Sequence, residues 1–292
     1  MKEILRKVRR LEIKVRKVVN TTFAGEYQSA FKGQGLEFDE VRPYLYGDDV
    51  RSIDWNVTAK TGQVFVKKYR EEREQTLFII FDVSGSEDFG PGQEKKRLVG
   101  AEIVSLLSFS AWQNNDKIGL ALYSDQLERY FKPTKGRKHI LQMVRALLTA
   151  QPKSRKTHLE GALEFASHLL KRRSILFVVS DFLDQNYEPL LTRLRQRHDI
   201  ILIRLYHPNE FFPFGAGIIP VLDLEEGKPR WISAGDPAYR QSMLRSFEAV
   251  DRNLQTFCRR NDIGLIAVNT RHDYLPVLEK FFKQRNRQKS RS

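Results

Sequence analysis

Short, mainly apolar runs recur along the chain from residue 76 onward. Continuous apolar runs of this length predict strands that are buried on both faces of a sheet. The predicted strands cover residues 76–81, 117–123, 127–131, 174–179, 199–205 and 264–268.

Stretches with helical periodicity separate most of these strands. Strands that alternate with helices predict an α/β fold, with a doubly wound, mostly parallel sheet covered on both faces. An irregular stretch rich in Phe, Pro and Gly, residues 207–235, has room for a small hairpin. The predicted helices lie near residues 94–112, 136–148, 158–171, 187–197 and 237–260, with a last helix from about residue 275.

The beginning of the chain has a basic amphipathic pattern, which predicts a helix over residues 1–19. Its apolar positions recur every three or four residues, and Lys and Arg occupy the other faces. This apolar seam can pack on its own domain, on a partner helix or on an acidic membrane surface. The seam consists of Ile4, Val8, Leu11, Val15 and Val18.

Changes in composition predict three further segments. Residues 20–74 are rich in glycine, charge and aromatic side chains and form a predicted small N-terminal region. Residues 75–283 carry the α/β pattern, and residues 284–292 are a basic stretch predicted to be a disordered tail.

The charge of the chain is concentrated at its two ends. The 292 residues contain 50 Lys and Arg against 36 Asp and Glu, a net charge of +14. Residues 1–20 and 280–292 each contribute +6, so the body between them carries only +2. A nearly neutral body is not typical of a domain that binds a nucleic-acid backbone. Nucleic acid is therefore not the expected partner, except through the basic ends.

Cysteine content and hydropathy exclude several other classes of protein. The single cysteine, Cys258, cannot form an internal disulfide, and no Cys/His spacing indicates zinc. Neither a signal peptide nor an apolar stretch of membrane-spanning length is present. We therefore expect a cytoplasmic protein, with residues 1–19 as a route to the inner-membrane surface. Cys258, Trp112 and Trp231 are predicted to be packing residues.

Oxygen-bearing side chains follow two of the predicted strands. Asp82 opens the sequence Asp-Val-Ser-Gly-Ser, which also contributes Ser84 and Ser86, and Asp181 follows another strand. Thr157 precedes a predicted helix, where capping that helix is its alternative role. Because ligands of doubly wound sheets bind beyond the carboxyl ends of the strands, these five residues are candidates for one site. Carboxylates and hydroxyls without sulfur or imidazole favour a hard divalent ion, Mg²⁺ or Mn²⁺.

Other motifs give weaker or no signals for catalysis. Asp82 stands where a Gly-x-Ser-x-Gly nucleophile elbow would need glycine, and no phosphate-binding loop ending in Gly-Lys-Ser/Thr occurs. The acidic pair Asp48-Asp49 is predicted to belong to an internal ion-pair network with Arg51 and Asp54.

The five candidate ligands resemble the metal-ion-dependent adhesion site of von Willebrand factor A domains. Four further blocks of sequence resemble the signature of the DUF58 family of bacterial proteins, and the resemblance spans roughly residues 20–270. It implies that Asp82, Ser84, Ser86, Thr157 and Asp181 hold the metal. Many relatives have methionine after the second serine, whereas this chain has Glu87. The four blocks lie at residues 33–38, 42–44, 47–55 and 67–73.

The resemblance implies a binding protein that works beside a MoxR-type AAA+ ATPase. Neutral hydroxyl ligands leave positive charge and an open position on the ion, so that an acidic side chain of the ATPase or its client can complete the shell. On this interpretation the protein is not an enzyme. Two alternatives stay open: a metal-dependent hydrolase with Glu87 or His158 as base, and a nucleic-acid or membrane-surface binder acting through the basic ends.

Overall fold

The computed structural model describes residues 2–19, 23–31, 36–71, 74–211, 217–222, 224 and 227–289. The chain divides into two compact units. Residues Phe31–Gln75 form the smaller one, and residues Met1–Ala30 together with Thr76–Ser292 form the larger one. The smaller unit therefore begins about ten residues later than the N-terminal region predicted from composition.

The larger unit contains a six-stranded sheet and a separate hairpin, and the smaller unit contains one strand pair. The strands are β1 (Leu36–Pro43), β2 (Phe65–Glu71), β3 (Thr76–Asp82), β4 (Lys117–Tyr123), β5 (Leu127–Thr134), β6 (Ile175–Ser180), β7 (Asp199–Tyr206), β8 (Ile218–Leu222), β9 (Pro229–Ser233) and β10 (Gly264–Asn269).

Helices occur in both units of the chain. They are α1 (Lys2–Val18), α2 (Ala24–Phe31), α3 (Trp55–Thr61), α4 (Lys96–Gln113), α5 (Arg137–Leu148), α6 (Leu159–Leu169), α7 (Glu188–Arg195), α8 (Pro237–Arg260) and α9 (Leu275–Lys289).

The six-stranded sheet has the order β10-β7-β6-β3-β4-β5, in which β5 alone runs antiparallel to its neighbour. The predicted α/β class with a mostly parallel sheet is therefore confirmed. From β3 the chain builds outward through β4 and β5, and it then returns to the other side of β3 to form β6. The strand order thus reverses between β3 and β6, which places a crevice beyond their carboxyl ends.

Helices cover both faces of this sheet. On one face, α6, α7 and α8 pack against side chains such as Phe78, Leu176 and Leu202, all of them buried. On the other face, α4 lies so close that a Cβ on Gly100 would be 2.5 Å from the ring of Phe81. Burial on both faces explains why the strands are continuously apolar rather than alternating.

The apolar seam of α1 packs on its own unit, against α4 and α5. Val8, Leu11 and Val15 are buried there. Glu12, also buried, accepts two hydrogen bonds from Arg137 at 2.6 and 3.0 Å. The sequence left three surfaces open for this seam: its own domain, a partner helix or a membrane. In the structure the seam packs on its own domain.

The last helix and the hairpin correct two expectations. Helix α9 continues to Lys289, so residues 284–289 are helical rather than part of a disordered tail, and residues 290–292 lie outside the described residues. Trp231 on β9 is 68% exposed, so its prediction as a packing residue is wrong, whereas Cys258 is buried as predicted. Among the described residues, no helix combines the length and hydropathy needed to span a bilayer.

The smaller unit pairs β1 with β2 and uses its acidic residues to hold turns. Asp48 accepts two hydrogen bonds from Arg42 at 2.7 and 2.8 Å, and Asp49 accepts one from the backbone of Arg51. Asp54 caps the first turn of α3 and lies 3.8 Å from Lys67. These contacts give the block around Gly47 a structural role, although Arg42 replaces Arg51 as the partner of Asp48.

Candidate metal-binding site

The loop after β3 holds three of the predicted ligands in hydrogen-bonded contact. The Asp82 carboxylate is buried, and its Oδ1 accepts a hydrogen bond of 2.8 Å from the Ser84 backbone. The Ser84 and Ser86 hydroxyls are 3.2 Å apart. A short 3₁₀ turn, Gly85–Asp88, follows Ser84 and includes Ser86.

The carboxyl end of β6 brings the second aspartate to the same place. Parallel pairing sets Phe81 opposite Val179, so Asp82 lies level with Ser180. The Ser180 hydroxyl donates a 2.8 Å hydrogen bond to Asp82 Oδ2, and Asp181 follows directly. The nearby Ser86 hydroxyl is also one of the groups that lower the pKa of Asp181. The structure therefore brings Asp82, Ser84, Ser86 and Asp181 together at the point where the strand order reverses.

Thr157 lies in a loop that is tied to the Asp82 loop through the backbone. The amide of Gly85 donates a 2.8 Å hydrogen bond to the carbonyl of Arg155, two residues before Thr157. Two residues span at most about 7 Å, so the Thr157 backbone stays beside this loop. The alternative role of Thr157 as a helix cap is wrong, because α6 begins at Leu159, whose amide donates to Asp184 Oδ2 at 2.7 Å.

The buried ammonium group of Lys96 lies beside Asp181. Lys96 Nζ donates to Asp181 Oδ2 at 2.9 Å and lies 2.6 Å from Glu210 Oε1, and its side chain has no exposed surface. Burial acts against the charge of Lys96, but the carboxylates of Asp181, Glu87 and Glu210 outweigh burial and raise its pKa. Lys96 is therefore a resident cation at this edge of the sheet.

The carboxylates around Lys96 differ in how easily they ionise. Burial, together with the charge of Asp181, raises the pKa of Asp82 to about 7. Burial also raises the pKa of Glu87 well above its ordinary value. Although burial acts in the same direction on Asp181, the charge and hydrogen bond of Lys96 lower the pKa of that carboxyl. Glu210 is the fourth carboxylate of this cluster. When all four carboxylates are ionised and Lys96 is protonated, the cluster has a formal charge of −3.

These residues fit a hard divalent cation. The loops supply carboxylate and hydroxyl oxygens, which are the donors that Mg²⁺ and Mn²⁺ prefer, and the negative charge is larger than one ammonium can balance. Among the described residues, no three Asp, Glu, His or Cys side chains form a metal-binding group. An ion held by Asp82 and Asp181 would therefore depend on the hydroxyls of Ser84, Ser86 and Thr157 for its remaining protein ligands.

Leu224, which lies in sequence between β8 and β9, packs against Gly85 of the loop after β3. A Cβ built on Gly85 would lie 2.0 Å from the Leu224 carbonyl oxygen and 3.3 Å from Arg155 Cβ. Only glycine fits between these two neighbours, which explains why the serine-rich loop contains one. Trp231 and Ile218 of the same hairpin are exposed apolar side chains.

Three residues of the cluster have no role in the sequence-based account of the site. Lys96 stands in a run of three basic residues, and a run of this kind usually indicates a solvated surface. Glu210 lies in the irregular segment after β7 and Ser180 at the end of an apolar strand. No local pattern marks them, because their placement depends on the phase of α4 and on the crossing of the chain between strands.

Proteins with related sequences cover nearly the whole chain. The uncharacterized protein Rv1480 of Mycobacterium tuberculosis H37Rv is 27% identical over 283 residues, which is 96% of this chain and 89% of the relative. The uncharacterized protein Mb1516 of Mycobacterium bovis matches with the same identity and coverage.

Solved structures with a similar course of the chain have low sequence identity. An aerotolerance-related membrane protein from Bacteroides fragilis covers 73% of this chain and 99% of its own, at 13% identity and a TM-score of 0.45. BatB from Bacteroides thetaiotaomicron covers 75% and 100% at 13% identity and 0.42, and the SpRpn10 VWA domain covers 72% and 94% at 14% identity and 0.39.

A protein-family match extends across both units. The family described as "Protein of unknown function DUF58" matches residues 40–252, well over half of the chain. The matched range includes Asp82, Ser84, Ser86, Thr157 and Asp181. The chain belongs to the DUF58 family.

Proposed function

We propose that the protein is a metal-dependent protein-binding module, a cytoplasmic adaptor that works with a MoxR-type AAA+ ATPase or its client. Asp82, Ser84, Ser86, Thr157 and Asp181 would hold one Mg²⁺ or Mn²⁺ ion. The observation that carries this proposal is the buried pair Asp82 and Asp181, linked through serine hydroxyls where the strand order reverses.

The donor set suits binding. The three hydroxyls are neutral, so only the two aspartates offset the positive charge of the ion. Lys96 donates a hydrogen bond to Asp181 and draws part of the negative charge of this carboxylate away from the ion. A bound ion supplies a Lewis-acidic position that accepts one further oxygen ligand. A carboxylate of the partner would give a charge-assisted contact there, and this contact would be lost when the ion is removed.

The structure gives less support to a hydrolase. A general base must come within hydrogen-bond distance of the attacking water, directly or through one water. Glu87 is fully buried, and His158 is exposed with its Nε2 3.9 Å from Glu160. We therefore expect no turnover in a phosphoesterase and peptidase screen with Mg²⁺ or Mn²⁺.

Partner capture tests the proposed function. The immobilised protein should retain a purified MoxR-type ATPase from the same organism in Mg²⁺ and release it in excess EDTA. Asp82→Ala and Asp181→Ala should abolish retention, because each removes a carboxylate ligand. Asp125→Ala should retain the ATPase like the unmodified protein, since Asp125 is an exposed carboxylate in the turn after β4, at the same sheet edge. If Asp82→Ala and Asp181→Ala still captured the ATPase in excess EDTA, metal-dependent binding would be refuted.

A further inference from the structure

Helix α1 presents a basic face to solvent on the side opposite its apolar seam. Ile13, which is 64% exposed, lies at the middle of this face. The positions three and four residues away from Ile13 in both directions share its side of the helix, and all four carry exposed basic residues. These are Arg9, Arg10, Arg16 and Lys17. Ile13 and these four residues form the basic face of α1.

The charges of the basic face are not balanced by neighbouring carboxylates. Within the part of the chain that the structure describes, Arg9, Arg10 and Lys17 have no ion-pair partner. Arg16 lies 3.9 Å from Glu12, but the carboxylate of Glu12 is buried and already accepts two shorter hydrogen bonds from α5. The positive charge of the basic face can therefore attract an anionic partner.

A groove of about 430 Å³ adjoins the basic face, between α1 and α5. Arg9 of α1 and Arg145 of α5 both line it, together with the apolar side chain of Leu141. Helix α5 contains neither Asp nor Glu. Glu12 also lines the groove, but Arg137 already binds its carboxylate. Two guanidinium groups beside apolar surface suit an anionic headgroup that is attached to less polar atoms.

We propose that the basic face of α1 and the adjoining groove dock on the surface of a membrane that contains anionic phospholipid. Negative headgroups attract each Lys and Arg of the face, and Ile13 enters between the headgroups, where its side chain leaves water. The apolar seam stays packed on α4 and α5, so α1 lies on the membrane surface without inserting its seam. This inference does not depend on the metal site.

Two features of the basic face favour a membrane over a nucleic acid. Ile13 and Leu141 offer apolar surface among the cations, and a bilayer has an apolar phase to receive it, whereas a nucleic-acid backbone presents charged phosphates. The basic face also has no aromatic side chain on which an unpaired base could stack.

Sedimentation with lipid vesicles tests this inference on the full chain. Vesicles of phosphatidylcholine alone are compared with vesicles that also contain phosphatidylglycerol, in EDTA so that no divalent ion takes part. Arg10→Gln together with Lys17→Gln removes two charges from the basic face. The matched control, Arg193→Gln together with Arg197→Gln, removes two exposed charges at the end of α7, which covers the other face of the sheet.

We expect the unmodified protein to sediment with the phosphatidylglycerol vesicles and not with phosphatidylcholine alone. The double variant of the basic face should bind about tenfold more weakly or less, because each basic residue near an anionic surface adds to the affinity. The α7 control should bind within about twofold of the unmodified protein, since salt screens charges that are far from the surface. Arg9→Gln together with Arg145→Gln removes both guanidinium groups that are free in the groove, and is a second variant with the same expected loss.

Three results would overturn the inference. The first is no binding to phosphatidylglycerol vesicles. The second is an equal loss in the variant of the basic face and in the α7 control, because net charge alone would then explain the attraction. The third is tighter binding to a DNA duplex than to the vesicles, lost in the same variant. Circular dichroism checks that each variant is folded, as expected for exposed side chains, and the metal site is untouched by every outcome.

Discussion

Lys96 balances the charge of the candidate site at the scale of single residues. Its ammonium is fully buried between Asp181 and Glu210, at hydrogen-bond distance from both. A buried carboxylate that loses its only cation keeps the desolvation cost without the compensating attraction. The stability of this edge of the sheet should therefore depend on Lys96 whenever no metal is bound.

Lys96→Met should lower the free energy of unfolding by about 3–5 kcal/mol in EDTA, the usual cost of breaking a buried ion pair. Saturating Mg²⁺ should restore part of this loss, because the ion replaces the missing positive charge. Urea denaturation in EDTA and in Mg²⁺ measures both effects. Lys95→Met is the control, since Lys95 is exposed, and should change stability little. Equal stability of the two variants would show that Lys96 does not balance these carboxylates.

Sequence and structure are informative about different residues of the site. Asp82, Ser84 and Ser86 could be predicted, because an aspartate at the end of an apolar strand and two nearby serines form a local pattern. Lys96 could not, because Lys95 and Lys96 are identical in sequence terms and only helix packing makes one exposed and the other buried. Glu87 could be noticed as unusual, but its burial without a partner is visible only in the folded chain.

At the scale of elements, α1 belongs to the packed body of the larger unit. Its seam lies on α4 and α5, and the ion pairs Lys14–Glu102 and Arg137–Glu12 join it to both helices at 2.6 Å. Removing residues 1–19 would therefore expose apolar surface as well as remove charge. A test of binding through the basic end must change charge on the outer face of α1 and leave its seam intact.

Val15→Ala and Ile13→Ala separate the two faces of α1. Val15 is 1% exposed and Ile13 is 64% exposed. Val15→Ala should lower the free energy of unfolding by about 2 kcal/mol, because it removes buried methyl groups worth about 0.8 kcal/mol each and leaves a cavity. Ile13→Ala should stay within about 0.5 kcal/mol of the unmodified protein. Chemical denaturation compares them, and equal losses would show that α1 does not pack through this seam.

The strands that could be predicted from the sequence are the ones that are buried, because burial on both faces makes a strand continuously apolar. Strands β3, β6 and β7 are buried on both faces, and their apolar runs predict them almost to the residue. Strands β1 and β2 were not predicted as a pair, because eight of their fifteen residues are charged, four acidic and four basic, and no apolar run marks them. The end of α9 was missed because its last residues are polar and basic.

At the scale of the whole molecule, the order of the strands creates the site. Asp82 and Asp181 are 99 positions apart in sequence, yet β3 and β6 are neighbours and end at the same edge. After β5 the chain crosses to the other side of β3, where it forms β6 and β7. A reversal of this kind leaves a space beyond the carboxyl ends of β3 and β6. The fold therefore accounts for the meeting of these residues without any local sequence signal that joins them.

A metal titration by isothermal calorimetry tests the central claim most directly. The unmodified protein and Asp125→Ala should each bind one equivalent of Mg²⁺, and Asp82→Ala and Asp181→Ala should show no binding heat. Circular dichroism should confirm that every variant is folded. One equivalent of Mg²⁺ bound equally well by all four proteins, or by none of them, would contradict a cation site built on Asp82 and Asp181.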